Sequence, residues 1–220
     1  MKAHSLTLGR AAFTLIELLV VVTIIAMLFA LVVGGFSYAE RASKRNRTSV
    51  ALKSIASGLE RYNQDFGEYP APANPGDIVD IAGQSYESSG AAMLYQALSG
   101  DGYNEILTAS GFTTGASPQS DGTIEETEGA FVKLTDMPKE LWTILNDRYL
   151  MIDGFGRPFQ YIKAINDDPT QATAETPTTV NASYDLWSYA EDEENTMATS
   201  LDSTQDEVLK RASAKWIRNW

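Results

Sequence analysis

The chain of 220 residues contains no cysteine. Disulfides, thiolate metal centres and cysteine nucleophiles are therefore excluded. The cell envelope stays open, because an exported protein can do without disulfides. Histidine is nearly absent too: His4 stands alone, ahead of the first apolar run, which argues against a Ser-His-Asp triad or a histidine-rich metal centre. Residues 67–220 hold no G-x-S-x-G and no phosphate-cradling glycine loop. Acid pairs of the kind that hydrolyse glycosides are available, but spacing selects none of them. A membrane-anchored enzyme is therefore only a distant alternative, and the expectation is that the chain is not an enzyme. Positive charge is scarce as well, with 17 Lys and Arg against 29 Asp and Glu and a net charge of −12. Up to Arg47 six basic residues face only Glu17 and Glu40, a balance of +4, which leaves −16 for the remainder. An acidic body of that kind repels nucleic acid and attracts divalent cations.

What is present in abundance is aliphatic side chain near the start. From Phe13 to Phe36 the one strongly polar residue is Glu17. As a helix these 24 residues reach roughly 36 Å, enough for a hydrocarbon core of about 30 Å. A secretory signal peptide is one reading, with Lys2 and Arg10 as its basic start and cuts after Ala30 or Ala39. It has no use for Glu17, and neither has a simple permanent anchor. An acid carried into lipid is usually there because a partner charge meets it.

"AFTLIELLVVV" (Ala12 to Val22) resembles the N-terminal signal of type IV pilins and type II secretion pseudopilins. The resemblance implies a leader, residues 1–12, removed by a prepilin peptidase between Ala12 and Phe13. Phe13 is then N-methylated and Glu17 becomes the fifth mature residue. The family usually has Gly before the cut; here Ala12 takes that place and Gly9 lies three residues earlier. In resembling filaments the acid of one subunit meets the N-terminal amine of its neighbour, so Glu17 is expected to set assembly register. Four basic residues at 41–47 follow the span and two precede it, against the positive-inside rule for a cytoplasmic N-terminus. The resemblance nevertheless implies a leader inside and a head outside the inner membrane. Implied partners are further copies of the chain, other pilins or pseudopilins, the peptidase and an inner-membrane assembly platform, with no direct contact to nucleic acid.

Gly34-Gly35 interrupts the aliphatic run and offers a place to bend, but helix signals resume beyond it. Leu52, Ile55, Leu59, Tyr62 and Phe66 recur at three- and four-residue spacing as one apolar stripe, and Gly67 closes the pattern. One helix of about fifty residues is expected, with residues 13–36 as its membrane and assembly half and 37–67 as its amphipathic half. Residues 68–220 form the head, with a variable insertion at about 71–138. Within it Gly90–Asp101 reads as a short amphipathic helix through Met93, Leu94 and Leu98, and Gly111–Gly129 as exposed loop. Tyr62, Asp65, Gly67, Tyr69 and Pro70 resemble the helix-to-loop passage of major pseudopilins. Asp153, Phe155, Gly156, Pro158, Phe159 and Tyr161 resemble the D-x-W/F-G-x-P-Y/F-x-Y element of the same proteins. Gly154–Pro158 reads as a turn whose aromatic neighbours pin it to the helix stripe, and Phe159–Ile165 as a strand. Tyr184–Asn195 resembles the next family element, D-L-x-S-x-G-x-D-G, and the closing KWIRNW a terminal D-I-x-N-W.

In major pseudopilins the loop after the D-L-x-S strand holds calcium. The resemblance carries that role to Leu186, Ser188 and Asp192, with Glu191, Glu193, Glu194, Asp202 and Asp206 nearby. An acidic loop with mixed carbonyls suits calcium, which takes six to eight oxygens. The glycines that let such a loop turn are missing, however: Ala190 and Glu193 stand in their places. The alternative is an acidic run that is merely solvated surface. The expected architecture is α+β, a long N-terminal helix on a small antiparallel sheet. The expected function is that of a filament subunit, a major pseudopilin of type II secretion. The alternative is a type IV pilin or minor pilin for adhesion, motility or DNA uptake.

Overall fold

The computed structural model describes residues 14–70, 76–99, 141–146, 148–164 and 178–220. Helix α1 runs through Leu15–Phe66. It opens on a reciprocal cap. The Glu17 N–H donates to Thr14 Oγ1 (3.3 Å), and the Thr14 N–H and hydroxyl both donate to Glu17 Oε2 (2.9 and 2.8 Å). This T-x-x-E arrangement satisfies donors that a helix start otherwise leaves orphaned. The helix continues through Gly34-Gly35 and stops where the stripe predicts. There Gly67 adopts φ +79° and its N–H donates to Asn63 O (2.8 Å), a left-handed terminus that glycine takes without steric cost.

The chain separates into two compact units, residues 1–42 and residues 43–220. In the first, the apolar side chains are exposed one after another, from Leu15 at 82% to Phe36 at 71%.

The second unit is built from short elements. Strands β1 (Ile78–Ile81) and β2 (Gln84–Glu87) form an antiparallel hairpin. Ala82 and Gly83 both have positive φ there, the geometry that matches the twist of the flanking strands. Helix α2 (Ser89–Ser99) follows, then a second hairpin of β3 (Trp142–Leu145) and β4 (Arg148–Met151). Strands β5 (Gln160–Lys163), β6 (Tyr184–Ser188) and β7 (Ile217–Arg218) make a three-stranded antiparallel sheet with β6 in the middle. Two short helices, α3 (Asp202–Gln205) and α4 (Glu207–Ala212), lie between β6 and β7. A long helix followed by small antiparallel sheets is the expected α+β class.

One core cluster unites the stripe of α1 with the strands. Leu52, Ile55, Leu59 and Tyr62 pack with Leu94 and Leu98 of α2 and with Met151, Phe159, Tyr161 and Leu186. A second cluster gathers Val79, Tyr86, Leu150, Trp187, Tyr189 and Trp216. Helix α2 differs from the amphipathic reading. Among its residues only Ala92 escapes full burial: the helix packs on β4 and β5 and contributes to both core clusters. The stretch Gly111–Gly129 lies outside the described residues.

Candidate functional site

Two places carry the chemistry that the sequence singles out. The first is the start of α1. Ala12 and Phe13 lie outside the described residues, whereas Glu17 is described and exposed. Its carboxylate is engaged through Oε2 by Thr14. Thr14 is a participant that the sequence reading passed over. The signal for it was available, since Ser or Thr followed three residues later by Glu ahead of an apolar run is the capping pattern.

The second place is the junction of the 153–157 turn with the loop that follows β6. Asp153 is 1% exposed. Its Oδ1 accepts from the N–H groups of Phe155 (2.8 Å) and Arg157 (3.0 Å), and its Oδ2 from the Ser188 hydroxyl (2.5 Å). The two family-like elements, D-x-F-G-x-P and D-L-x-S, are thus joined by one buried hydrogen bond. Burial pushes the Asp153 carboxyl up from its ordinary 3.8, against those three donors and the Arg157 charge.

The turn is also seated on α1. The Gly154 N–H donates to Thr48 Oγ1 (2.9 Å), and the Thr48 hydroxyl donates to Lys44 O (2.9 Å). A Cβ at Gly154 would stand 2.4 Å from Lys44 O, so only glycine permits this approach. The pin is therefore mostly backbone and hydroxyl. Of the aromatics, Phe159 and Tyr161 enter the helix-stripe core, while Phe155 is half-buried with the Arg157 guanidinium 5.9 Å from its ring centre.

Beyond β6 the loop turns at once. Ala190 adopts φ +52°, a left-handed conformation unusual for a residue with a side chain. Its N–H donates to Ser188 Oγ (2.9 Å), and the Asp192 N–H donates to Tyr189 O (2.9 Å). The Asp192 carboxylate is filled by donors. Its Oδ1 accepts from the N–H groups of Glu194 (3.1 Å) and Asn195 (3.2 Å), and its Oδ2 from the Trp216 indole (2.9 Å). The Asn195 amide donates to both oxygens at 3.0 Å. Burial opposes its charge, but these donors together hold the Asp192 carboxyl below its ordinary value.

Of the remaining acids Glu194 is exposed, and the other four are committed in the same way. Glu191 accepts from Arg45 Nη1 (2.5 Å), which also donates to Lys215 O (2.9 Å). Glu193 accepts from Arg157 Nη2 (2.7 Å). Asp202 accepts from the N–H and hydroxyl of Thr199 (2.8 Å each), and Asp206 caps α4 through the N–H groups of Val208 and Leu209.

Of the calcium positions, Ser188 and Asp192 lie at the two ends of one tight loop, but their oxygens face donors. The Leu186 carbonyl accepts the Asn219 N–H (3.1 Å). Among the described residues no group of three or more Asp, Glu, His or Cys is placed to hold a metal ion. This donor set does not fit calcium, because a carboxylate already accepting five hydrogen bonds has no free lone pair to offer.

Comparison with known proteins bears on the first place. Residues 8–33 match the family model described as the prokaryotic N-terminal methylation motif. The chain carries the prepilin-type signature of type IV pilin-like proteins. No curated protein and no solved structure matches it.

Proposed function

We propose that this chain is a structural subunit of an envelope filament, cut between Ala12 and Phe13 and polymerised through α1. The observation that carries this reading is the methylation motif over residues 8–33 on a helix whose apolar side chains are exposed. Among the described residues α1 alone is long and apolar enough to cross a membrane. A surface of that kind needs lipid or further copies of itself around it. Glu17 sits where such an environment makes a lone carboxylate costly, so a partner charge has to meet it. In the proposed filament that charge is the methylated amine of a neighbouring Phe13. Thr14 holds the acid in the single chain until the neighbour arrives.

The finer reading is a major pseudopilin of type II secretion, anchored in the inner membrane with its head outside. It is supported by the Asp153–Ser188 bond, which joins two elements resembling those proteins. Such a polymer, driven from an inner-membrane platform, would push secreted substrates. A type IV pilin for adhesion is the second reading, favoured by the long stretch 71–138, which a major pseudopilin would have shorter.

Glu17→Ala separates assembly from processing. In cells carrying a prepilin peptidase and an assembly platform, the variant is expected to be cut like the wild type. It is expected to disappear from the sheared filament fraction and stay in the membrane. A variant that still assembles would remove Glu17 from its role.

A further inference from the structure

Arg157 occupies the x position of D-x-F-G-x-P and is 9% exposed. Its Nη1 donates to the carbonyls of Ala190 and of Asp192 (3.1 Å for the second), and its Nη2 to Glu193 Oε1 (2.7 Å). One guanidinium thus collects two main-chain carbonyls and a carboxylate from a single loop. A set of carbonyls and acid oxygens converging on one positive charge is what a hard cation would bind. We propose that Arg157 is the resident cation of this loop: its guanidinium takes the oxygens a divalent ion would need, and the loop folds without one.

Three further features support this. Ala190 holds a left-handed backbone without being glycine, and such a conformation persists only where its surroundings over-determine it. Here Ser188 Oγ takes its N–H and Arg157 takes its C=O. A second guanidinium, Arg45, claims Glu191. The remaining loop carboxylate with several bonds, Asp192, is saturated by indole, amide and backbone donors. Arginine suits the task better than lysine, because its planar fork offers several donors in fixed directions and it stays charged when desolvated.

The inference does not depend on which filament the chain builds, and its test can fail separately. The full chain in detergent is unfolded thermally after EDTA treatment, with and without added calcium, and calcium is titrated calorimetrically. The wild type is expected to unfold at the same temperature in both and to give no binding heat. A calcium-dependent rise or measurable binding overturns the proposal. Arg157→Met is expected to lower the unfolding temperature by about 5 °C or more, and to speed cleavage by a glutamate-specific protease at Glu191 and Glu194 ahead of any other site. Arg157→Lys is expected to fall between the two. If Arg157→Met does not fold, Glu193→Ala, which removes one of the three contacts, carries the protease test. Variants whose loop is cut no faster than the wild type also overturn the proposal.

Discussion

Asp153 accepts three hydrogen bonds and Asp192 five, and the two carboxyls are shifted in opposite senses. Burial raises Asp153 above 3.8, so the native state keeps that proton longer than the unfolded chain. Stability from this group is therefore present at low pH and declines as pH rises from 3.8 through the raised value. Asp192 is lowered, so its stabilisation is present above 3.8 and is lost as pH falls through the native value. Urea midpoints across acid pH should show the declining limb vanish in Asp153→Asn and the low-pH loss vanish in Asp192→Asn. Gly154→Ala places a Cβ against Lys44 O and should cost about 2 kcal/mol, with the turn lifted from α1. Thermal unfolding of that variant checks it. At this scale the sequence was readable in part. The 153–161 pattern marked its turn and strand, and both are there. The missing glycines after Ser188 counted against a calcium loop, and Ala190 takes the left-handed turn in their place by virtue of bonds from residues 188 and 157. The bond from Ser188 is a local Ser turn, whereas the one from Arg157 is tertiary and leaves no trace in local composition.

Among elements, α1 was the most legible. The 3.6-residue stripe and Gly67 located its end, and Leu52, Ile55, Leu59 and Tyr62 are buried as that stripe requires. Leu59→Ala should destabilise by about 2–5 kcal/mol, since Leu59 is fully enclosed. Val50→Ala on the exposed side of the same helix should change stability by less than about 0.5 kcal/mol. Chemical unfolding of the pair distinguishes a packed stripe from mere helix content. The β1–β2 hairpin was not legible, because its turn is Ala82-Gly83 and lacks the Asn-Gly or Asp-Gly signal. Helix α2 was located but misjudged. Its small and apolar residues read as one-sided, while β4, β5 and two core clusters together bury nearly all of it, a fact of topology that periodicity cannot report.

On the scale of the whole molecule, charge and apolarity are divided along the chain. An exposed aliphatic helix half precedes a body that carries the acid excess. That division, the methylation motif over residues 8–33 and Glu17 at the head of the apolar run support a subunit that exists to be polymerised. The motif was legible because cleavage and methylation read linear sequence. Secretion or adhesion was not, because the motif over residues 8–33 does not distinguish the two. The central claim is tested most directly by intact mass and N-terminal sequencing of membrane-extracted protein, made with and without a prepilin peptidase. The account predicts a mature chain starting at Phe13 with one added methyl group, only when the peptidase is present. A chain still starting at Met1, or cut after Ala30 or Ala39, would contradict it.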